Sequence, residues 1–239
     1  MFHVKICGIT NEADARLAAE AGADAIGLNF VAGSPRQVEP TTARAVAAAV
    51  PGGVLKVGVF AGTPAEEIRR IVELVGLDAV QLHGHLFGDD PATDPPSRCV
   101  ELVGLPVIRA IRMEAAAPGG DPLAAARRWI AMARSLGAAP ALAIIDAAVA
   151  RGTDPGRLGG TGATIDWAAL RLAAPLDVAM ALAGGLTPEN VAQAIRGSGA
   201  GAVDTASGVE SVPGRKDPLK VRAFVAAARS ALASSAKSG

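Results

Sequence analysis

Short apolar runs recur along this chain, at 2–7 (FHVKIC), 24–30 (DAIGLNF), 54–60 (VLKVGVF), 78–82 (DAVQL), 105–111 (LPVIRAI), 141–146 (ALAIID), 177–183 (DVAMALA) and 201–205 (GAVDT). They are rich in Val, Ile and Ala and mostly continuous rather than alternating, which is the pattern of parallel strands buried on both faces. Helical patterns lie between them. Thr63-Pro64-Ala65-Glu66-Glu67 reads as a start, with Thr as N-cap, Pro at the first helical position and carboxylates in the first turn, ahead of an apolar stripe of Ile68, Ile71, Val72 and Val75. Thr187-Pro188-Glu189-Asn190 repeats the signal before Val191, Ala194 and Ile195. Thr10 reads as the start of the first helix, and Asp217-Pro218 opens the last, with Leu219, Val221, Phe224, Val225 and Leu232 as its apolar set.

Eight strands, each followed by a helix, predict a single-domain α/β (β/α)8 TIM barrel over 1–239, with the last few C-terminal residues disordered. An open doubly wound sheet is the alternative that the pattern alone leaves. The fourth repeat is the weakest, because GHLFGDDPATDPPSR at 84–98 lacks a clean helix start. The stretches 113–121 and 147–158 are also irregular.

Composition narrows the class. The chain has 239 residues, half of them apolar, which is enough for one large core. Its 23 basic and 23 acidic residues cancel, so there is no basic excess to hold a nucleic acid or an anionic membrane. The absence of Tyr and the low aromatic content argue against stacking on bases. No run reaches the ~18 apolar residues of a membrane span, and MFHVKICG lacks the basic-then-apolar order of a signal peptide. Two cysteines, Cys7 and Cys99, make no disulfide framework, so a reduced, cytoplasmic setting is expected. Cys99, in the helical stretch Ser97-Arg98-Cys99-Val100, is expected to pack.

In a barrel of this kind chemistry belongs at the carboxyl ends of the strands. Reading off those ends gives Cys7, then Asn29 with Arg36 in its loop, then Gln81 and His83, Arg112, Asp146, Gly184-Gly185, and Asp204 with Ser207-Gly208. Cys7 and Asp146, two proton-handling groups on two strand ends, are the seed of an acid/base site. The paired glycines after strand seven and Ala206-Ser207-Gly208 after strand eight allow backbone N–H groups to approach an anion, in the loops where barrels usually bind phosphate. Turn and cap requirements would account for either glycine group alone. Arg36 offers a planar guanidinium suited to a carboxylate, although most loop arginines are simply solvated. His83 alone would more often be structural, and His3 and His85 carry no functional argument. Three histidines without carboxylates at ligand spacing do not suggest a metal, and no GxSxG, GxGxxG or GK[ST] motif competes. Lys5 lies two residues before Cys7, and spacing alone does not connect it to the thiol.

KICGIT at 5–10, GSPRQV at 33–38, KVGVF at 56–60, DAVQLHG at 78–84, IID at 144–146, GGTGATIDW at 159–167, LAGGLTPENV at 182–191, AVDTASGVES at 202–211 and GRKDPLKV at 214–221 occur in this order over nearly the whole chain. Together they closely resemble the phosphoribosylanthranilate isomerase family of tryptophan biosynthesis. The resemblance implies a (β/α)8 barrel that carries out an Amadori rearrangement without cofactor or metal, on a small phosphorylated substrate, as a monomer or homodimer. It implies Cys7 as general base and Asp146 as general acid, Arg36 on the anthranilate carboxylate, and Gly184, Gly185, Ala206, Ser207 and Gly208 around the phosphate. Gln81, His83, Gly160 and Asp204 are expected to complete the substrate-binding set.

Two departures stand out. Ala206 replaces a small hydroxyl residue that the family often has there, and the loops at 84–98, 113–122 and 147–158 look long for the family. The rival readings are the related aldose-ketose isomerase of histidine biosynthesis and a non-catalytic barrel that binds a phosphorylated ligand. The first would use two aspartates and two phosphate grips, whereas here strand one ends in Cys7 and strand three ends without a second phosphate motif. The intact Cys7/Asp146 pair argues against the second.

Overall fold

The computed structural model describes residues 1–84, 94–113, 120–146 and 167–236. Eight parallel strands close into a barrel in sequence order: β1 (Val4–Ile6), β2 (Ala25–Asn29), β3 (Leu55–Phe60), β4 (Ala79–Leu82), β5 (Val107–Arg112), β6 (Leu142–Asp146), β7 (Ala179–Ala183) and β8 (Ala202–Thr205). This is the (β/α)8 architecture that the repeated pattern predicts, and closure removes both sheet edges, so the open sheet is excluded. The seam is the β1–β8 ladder, in which Lys5 lies opposite Asp204.

Helices cover the outside: α1 (Glu12–Glu20), α2 (Pro40–Ala48), α3 (Ala65–Val75), α4 (Arg98–Glu101), α5 (Ala124–Ser135), α6 (Trp167–Leu172), α7 (Val191–Ser198) and α8 (Pro218–Ala236). The weak fourth repeat yields only the four residues of α4, which does bury Cys99. The stripes Ile68/Ile71/Val72/Val75 and Val191/Ala194/Ile195 are buried, as their helical spacing requires. In α8, Val221, Phe224 and Val225 are buried, whereas Leu219 is 79% exposed and drops out of the expected set. Two residues before the buried Val221, it stands about 200° around the helix, on the opposite face.

Three helix starts differ in detail from the sequence reading. In α3 the first helical hydrogen bond runs from Ile68 N–H to the Pro64 carbonyl, so Pro64 is the cap and Thr63 makes no side-chain cap. Asn11, not Thr10, caps α1, with its Oδ1 accepting from Asp14 N–H at 2.9 Å. In α7 the cap position is Asn190, and Val191 N–H bonds back to the Thr187 carbonyl.

One element was not foreseen. After β8 a short 3₁₀ turn (Ser207–Val209) leads into an antiparallel hairpin, β9 (Glu210–Val212) and β10 (Arg215–Lys216). The hairpin is held against the barrel mouth, where Thr10 Oγ1 donates to the Gly214 carbonyl at 2.7 Å and Lys216 N–H donates to Asp14 Oδ2 at 3.0 Å.

The core has two layers. One apolar cluster lies between strands and helices. A smaller one, including Phe2, Ala25, Val57, Ala79, Ile108, Ala110, Leu142, Ile144, Ala181, Ala183 and Ala202, fills the barrel interior. Because strand side chains alternate faces, that interior set fixes which residues point inward further along each strand. Two residues beyond Ile144 is Asp146, two beyond Ala79 is Gln81, and two beyond Ala202 is Asp204. Apolar packing therefore fills the amino-terminal half of the barrel, and polar groups gather at the carboxyl end.

Asp217 anchors α8 by accepting from both Leu219 N–H and Lys220 N–H on one carboxylate oxygen, at 2.9 and 3.1 Å. Asp217→Ala is expected to lower stability by about 1 kcal/mol, seen as a fall of about 2–4 °C in a thermal melt. An unchanged melt would remove this cap from the account of how α8 is anchored.

Candidate active site

Cys7 follows β1 at the mouth of the barrel and is partly exposed. Its backbone N–H bonds to the Thr205 carbonyl at 2.7 Å, and the next residue turns at a φ of 70° that glycine tolerates. The thiol rests against Gly27 of β2, where a Cβ would lie 2.6 Å from Sγ. Any larger residue at 27 would displace the thiol.

Beneath it lies a fully buried lysine. Lys5 Nζ touches both oxygens of Asp204 across the barrel seam, at 2.9 and 3.0 Å. Burial works against the ammonium, but the Asp204 charge, with a smaller contribution from Cys7, more than compensates and holds Lys5 above its ordinary pKa. Burial pulls Asp204 toward its neutral form, and the two-oxygen contact decides for the ion pair. Burial also pushes the Cys7 thiol up; the charge and hydrogen bond of Lys5 draw it back, as does the charge of Lys216, while Asp204 adds to the rise. The net direction is upward.

Arg36 sits in the loop after β2, which is shaped by Asn29. The Asn29 amide donates to Ser34 Oγ at 3.0 Å and its Oδ1 accepts from Val31 N–H at 2.8 Å. The arginine stem lies against Gly8, where a Cβ would stand 2.4 Å from Cδ. Its guanidinium is paired in bidentate fashion with Glu210 of β9, at 2.8 and 2.6 Å. Lys216 of β10 donates to the same carboxylate at 2.9 Å and to the Ala206 carbonyl at 3.1 Å. Burial alone would raise the Glu210 carboxyl, but Arg36 and Lys216 outweigh it and hold it below the ordinary value. Lys5, Arg36 and Lys216 thus face Asp204 and Glu210, three cations against two anions, which leaves one positive charge in excess beside the thiol.

Loops seven and eight interlock. Gly184 and Gly185 both adopt left-handed backbone, with φ of 87° and 64°. Thr205 Oγ1 donates to the Leu186 carbonyl at 2.8 Å, and a Cβ on Gly208 would lie 1.8 Å from that same oxygen. Asn190 Nδ2 reaches back to the Gly185 carbonyl at 3.0 Å and its Oδ1 accepts from Thr187 N–H at 2.8 Å. Two glycine-bearing turns are thereby fastened side by side, an arrangement that suits an anion cradle.

Gln81 is buried in the interior of β4, with its Oε1 lacking a partner among the described residues and Nε2 3.4 Å from His83 Nδ1. Burial, then the charges of Lys5, Arg112 and Arg109, push the His83 imidazole down to about 4, so it is neutral at physiological pH. Asp146 ends β6, beside Arg112 on one side and Ala183 on the other in the strand register. Cys7, Arg36, His83, Asp146, Asp204 and the two glycine loops therefore share one end of the barrel. Cys7 and Asp146 sit three strands apart around the ring. Gly160 lies outside the described residues. Asp204, expected in the substrate-binding set, has both oxygens engaged by Lys5.

Sequence reasoning missed Lys5, Gly27, Glu210 and Lys216. The Pro213-Gly214 dipeptide between two short runs was an available hairpin signal. Lys5 could be connected to the site only once closure set it opposite Asp204.

A closed (β/α)8 barrel with a thiol, a carboxylate, a guanidinium and twin glycine loops at the carboxyl end of its strands has the form of the barrel enzymes that act on phosphorylated small molecules. The sequence pattern of N-(5'phosphoribosyl)anthranilate (PRA) isomerase matches residues 4–227. N-(5'-phosphoribosyl)anthranilate isomerase of Rubrobacter xylanophilus is 42% identical over 231 residues, covering 96% of this chain and all of that one. The same enzyme of Myxococcus xanthus is 41% identical, covering 95% and 96%. The crystal structure of phosphoribosyl anthranilate isomerase from Thermotoga maritima superposes with a TM-score of 0.77 at 32% identity, over 96% of this chain and all of that one. A phosphoribosyl anthranilate isomerase in complex with reduced 1-(o-carboxyphenylamino)-1-deoxyribulose 5-phosphate gives 0.73 at 30% identity. The chain belongs to the phosphoribosylanthranilate isomerase family.

The state of His83 has a pH consequence. Its folded pKa is about 4 against an ordinary 6.5, so the unfolded chain takes up a proton more readily between those values. The stability contributed by the neutral imidazole is complete above about pH 6.5 and is lost as the pH falls toward 4. Urea unfolding at pH 7 and pH 4.5 should show a drop that is about 2–3 kcal/mol smaller in His83→Gln than in the wild type. Equal drops would mean that the imidazole is not held neutral.

Proposed function

We infer that the chain is an N-(5'-phosphoribosyl)anthranilate isomerase and that Cys7 and Asp146 are its proton-transfer pair. Family membership supports the reaction, and the observation that carries the residue roles is the placement of both groups at the mouth of one barrel, between Arg36 and the twin glycine loops. The substrate carries an anion at each end, a phosphate and an aromatic carboxylate. Gripping both ends centres the ribose between acid and base, so that positioning supplies much of the catalysis.

Asp146 protonates the furanose ring oxygen. The C1′–O bond breaks as the anthranilate nitrogen lone pair forms a C=N bond, giving an open-chain protonated Schiff base. Cys7, as thiolate, removes the C2′ proton. The C2′–H electron pair becomes a C1′=C2′ double bond and the C=N π pair returns to nitrogen, giving an enolamine. Tautomerisation to the ketone moves the C2′ hydroxyl proton away and adds a proton at C1′. No electrons enter or leave, so none of these steps calls for a redox cofactor.

Lys5 and Lys216 oppose the burial that holds the Cys7 thiol above its ordinary value, and so draw it toward the thiolate that this step needs. The neutral His83 can donate from Nε2 to a substrate oxygen, since Nδ1 faces the Gln81 amide. Phosphate would be held by backbone N–H groups around Gly184, Gly185, Ser207 and Gly208, and the family resemblance assigns Gly160 to the same binding set. Ala206 contributes only its backbone. Cytoplasmic location and a monomeric or homodimeric state are part of this reading. Free thiols at Cys7 and Cys99 support the former, and one similar structure is of generated monomers of a dimeric phosphoribosylanthranilate isomerase from Thermotoga maritima. Among the described residues no helix is long and apolar enough to cross a membrane.

Cys7→Ala and Asp146→Asn should each reduce kcat on phosphoribosylanthranilate by about 100-fold or more, the usual weight of a general base or acid. Near-normal turnover in either variant would reassign that proton.

A further inference from the structure

Arg36 has the site's most specific geometry, and most of it is directed at the protein rather than outward. A guanidinium has five N–H donors in a planar fork. Glu210 takes the side edge, with Nε–H to Oε1 at 2.8 Å and one Nη2–H to Oε2 at 2.6 Å. The end edge, made of Nη1 and the second Nη2 hydrogen, remains for a second planar carboxylate. The side chain is held on three sides by Gly8 under its stem, Glu210 along its edge, and the Ser34–Asn29 loop at its backbone.

The carboxylate that holds Arg36 raises an electrostatic difficulty. Arg36 and Glu210 alone form a neutral pair with no attraction for an anion, and a buried Glu210 would repel one. Lys216 answers this. It is 4% exposed, donates to Glu210 Oε1 at 2.9 Å, and restores a net charge of +1 to the cluster. Its other contact, to the Ala206 carbonyl at 3.1 Å, ties the cluster to the loop after β8. The β9–β10 hairpin thus supplies both a carboxylate that orders the arginine and a cation that cancels the carboxylate.

We propose that Glu210, backed by Lys216, is a positioning residue that holds Arg36 so that its end edge meets the substrate's aromatic carboxylate. The inference rests on the isomerase reading above. Glu210 touches no reacting atom and acts through Arg36. An arginine ordered beforehand loses little freedom on binding, so the effect of Glu210 belongs in substrate affinity rather than in proton transfer.

The test is steady-state kinetics on phosphoribosylanthranilate for Glu210→Ala, Glu210→Gln, Arg36→Ala and the double variant Arg36→Ala/Glu210→Ala, with circular dichroism and thermal melts as folding checks. Glu210→Ala should raise KM about 10-fold with kcat within about 3-fold, and Glu210→Gln, which keeps one acceptor for the guanidinium, should fall between it and wild type. The double variant should have the KM of Arg36→Ala alone, because Glu210 has nothing left to position. A purely structural role would instead multiply the two KM effects or lower kcat together with the melting temperature. If Glu210→Ala does not fold, the isosteric Glu210→Gln carries the same KM-against-kcat comparison. An unchanged KM in the folded Glu210 variants, with an active wild type, would overturn this inference alone. A wild-type protein that fails to turn over phosphoribosylanthranilate would overturn the isomerase reading and this inference with it.

Discussion

A lysine with no solvent exposure, paired across the seam where the first and last strands meet, is the interaction on which the site depends. Lys5 and Asp204 are register partners in the β1–β8 ladder, so the ion pair forms only when the barrel closes. Such pairs are poor sources of stability, because desolvating two charges consumes most of what their attraction returns. A hydrophobic pair would close the seam at least as well. The ammonium has consequences for the chemistry above it: it draws the Cys7 thiol toward ionisation and helps to keep His83 neutral. Removing Lys5 alone would leave Asp204 as an unpaired buried charge, a change that costs several kcal/mol by itself.

Around that pair the chain uses absent side chains as deliberately as present ones. Gly27 makes room for the Cys7 thiol, Gly8 for the Arg36 stem, and Gly208 for the Leu186 carbonyl. In each case a Cβ would fall inside normal contact distance of an atom that the site needs in place. The hairpin after β8 then closes one side of the mouth. Its Glu210 and Lys216 connect the guanidinium to the loop that begins at Ala206, so Arg36 and the glycine loop after β8 are coupled through ionic contacts and hydrogen bonds. In the proposed reading, that coupling would keep the carboxylate-binding and phosphate-binding ends at a set separation about the sugar.

The barrel was readable because continuous apolar runs and helical stripes are local signals, and closure follows from the need to cover both sheet edges. Cys7, Asp146 and the glycine loops were readable because a strand end is a place with known consequences. The partners that determine how those groups behave were not. Lys5 and Asp204 are separated by nearly the whole chain, and only register brings them together. Arg36 read as a carboxylate clamp, which it is in form, but the carboxylate on it in this structure belongs to Glu210. The helix starts at Thr63 and Thr10 differ from the structure by one residue because several neighbours could serve as the cap, and at α1 a tertiary contact decides: Thr10 is drawn away to Gly214. Leu219 is apolar but lies about 200° around α8 from the buried Val221, so it faces away from the barrel.

If the buried pair sets the chemistry of the base, the Cys7 thiol should report it directly. The measurement is the rate of iodoacetamide alkylation of Cys7 as a function of pH in the free enzyme, comparing wild type with the neutral double variant Lys5→Met/Asp204→Asn, which leaves no unpaired charge. Cys99 stays silent because burial pushes its thiol up to about 11. The midpoint of Cys7 alkylation should move to higher pH in the double variant, since the pull of Lys5 on the thiol exceeds the opposing push of Asp204. A midpoint that stays put or moves lower would contradict the claim that the seam of the barrel controls the base.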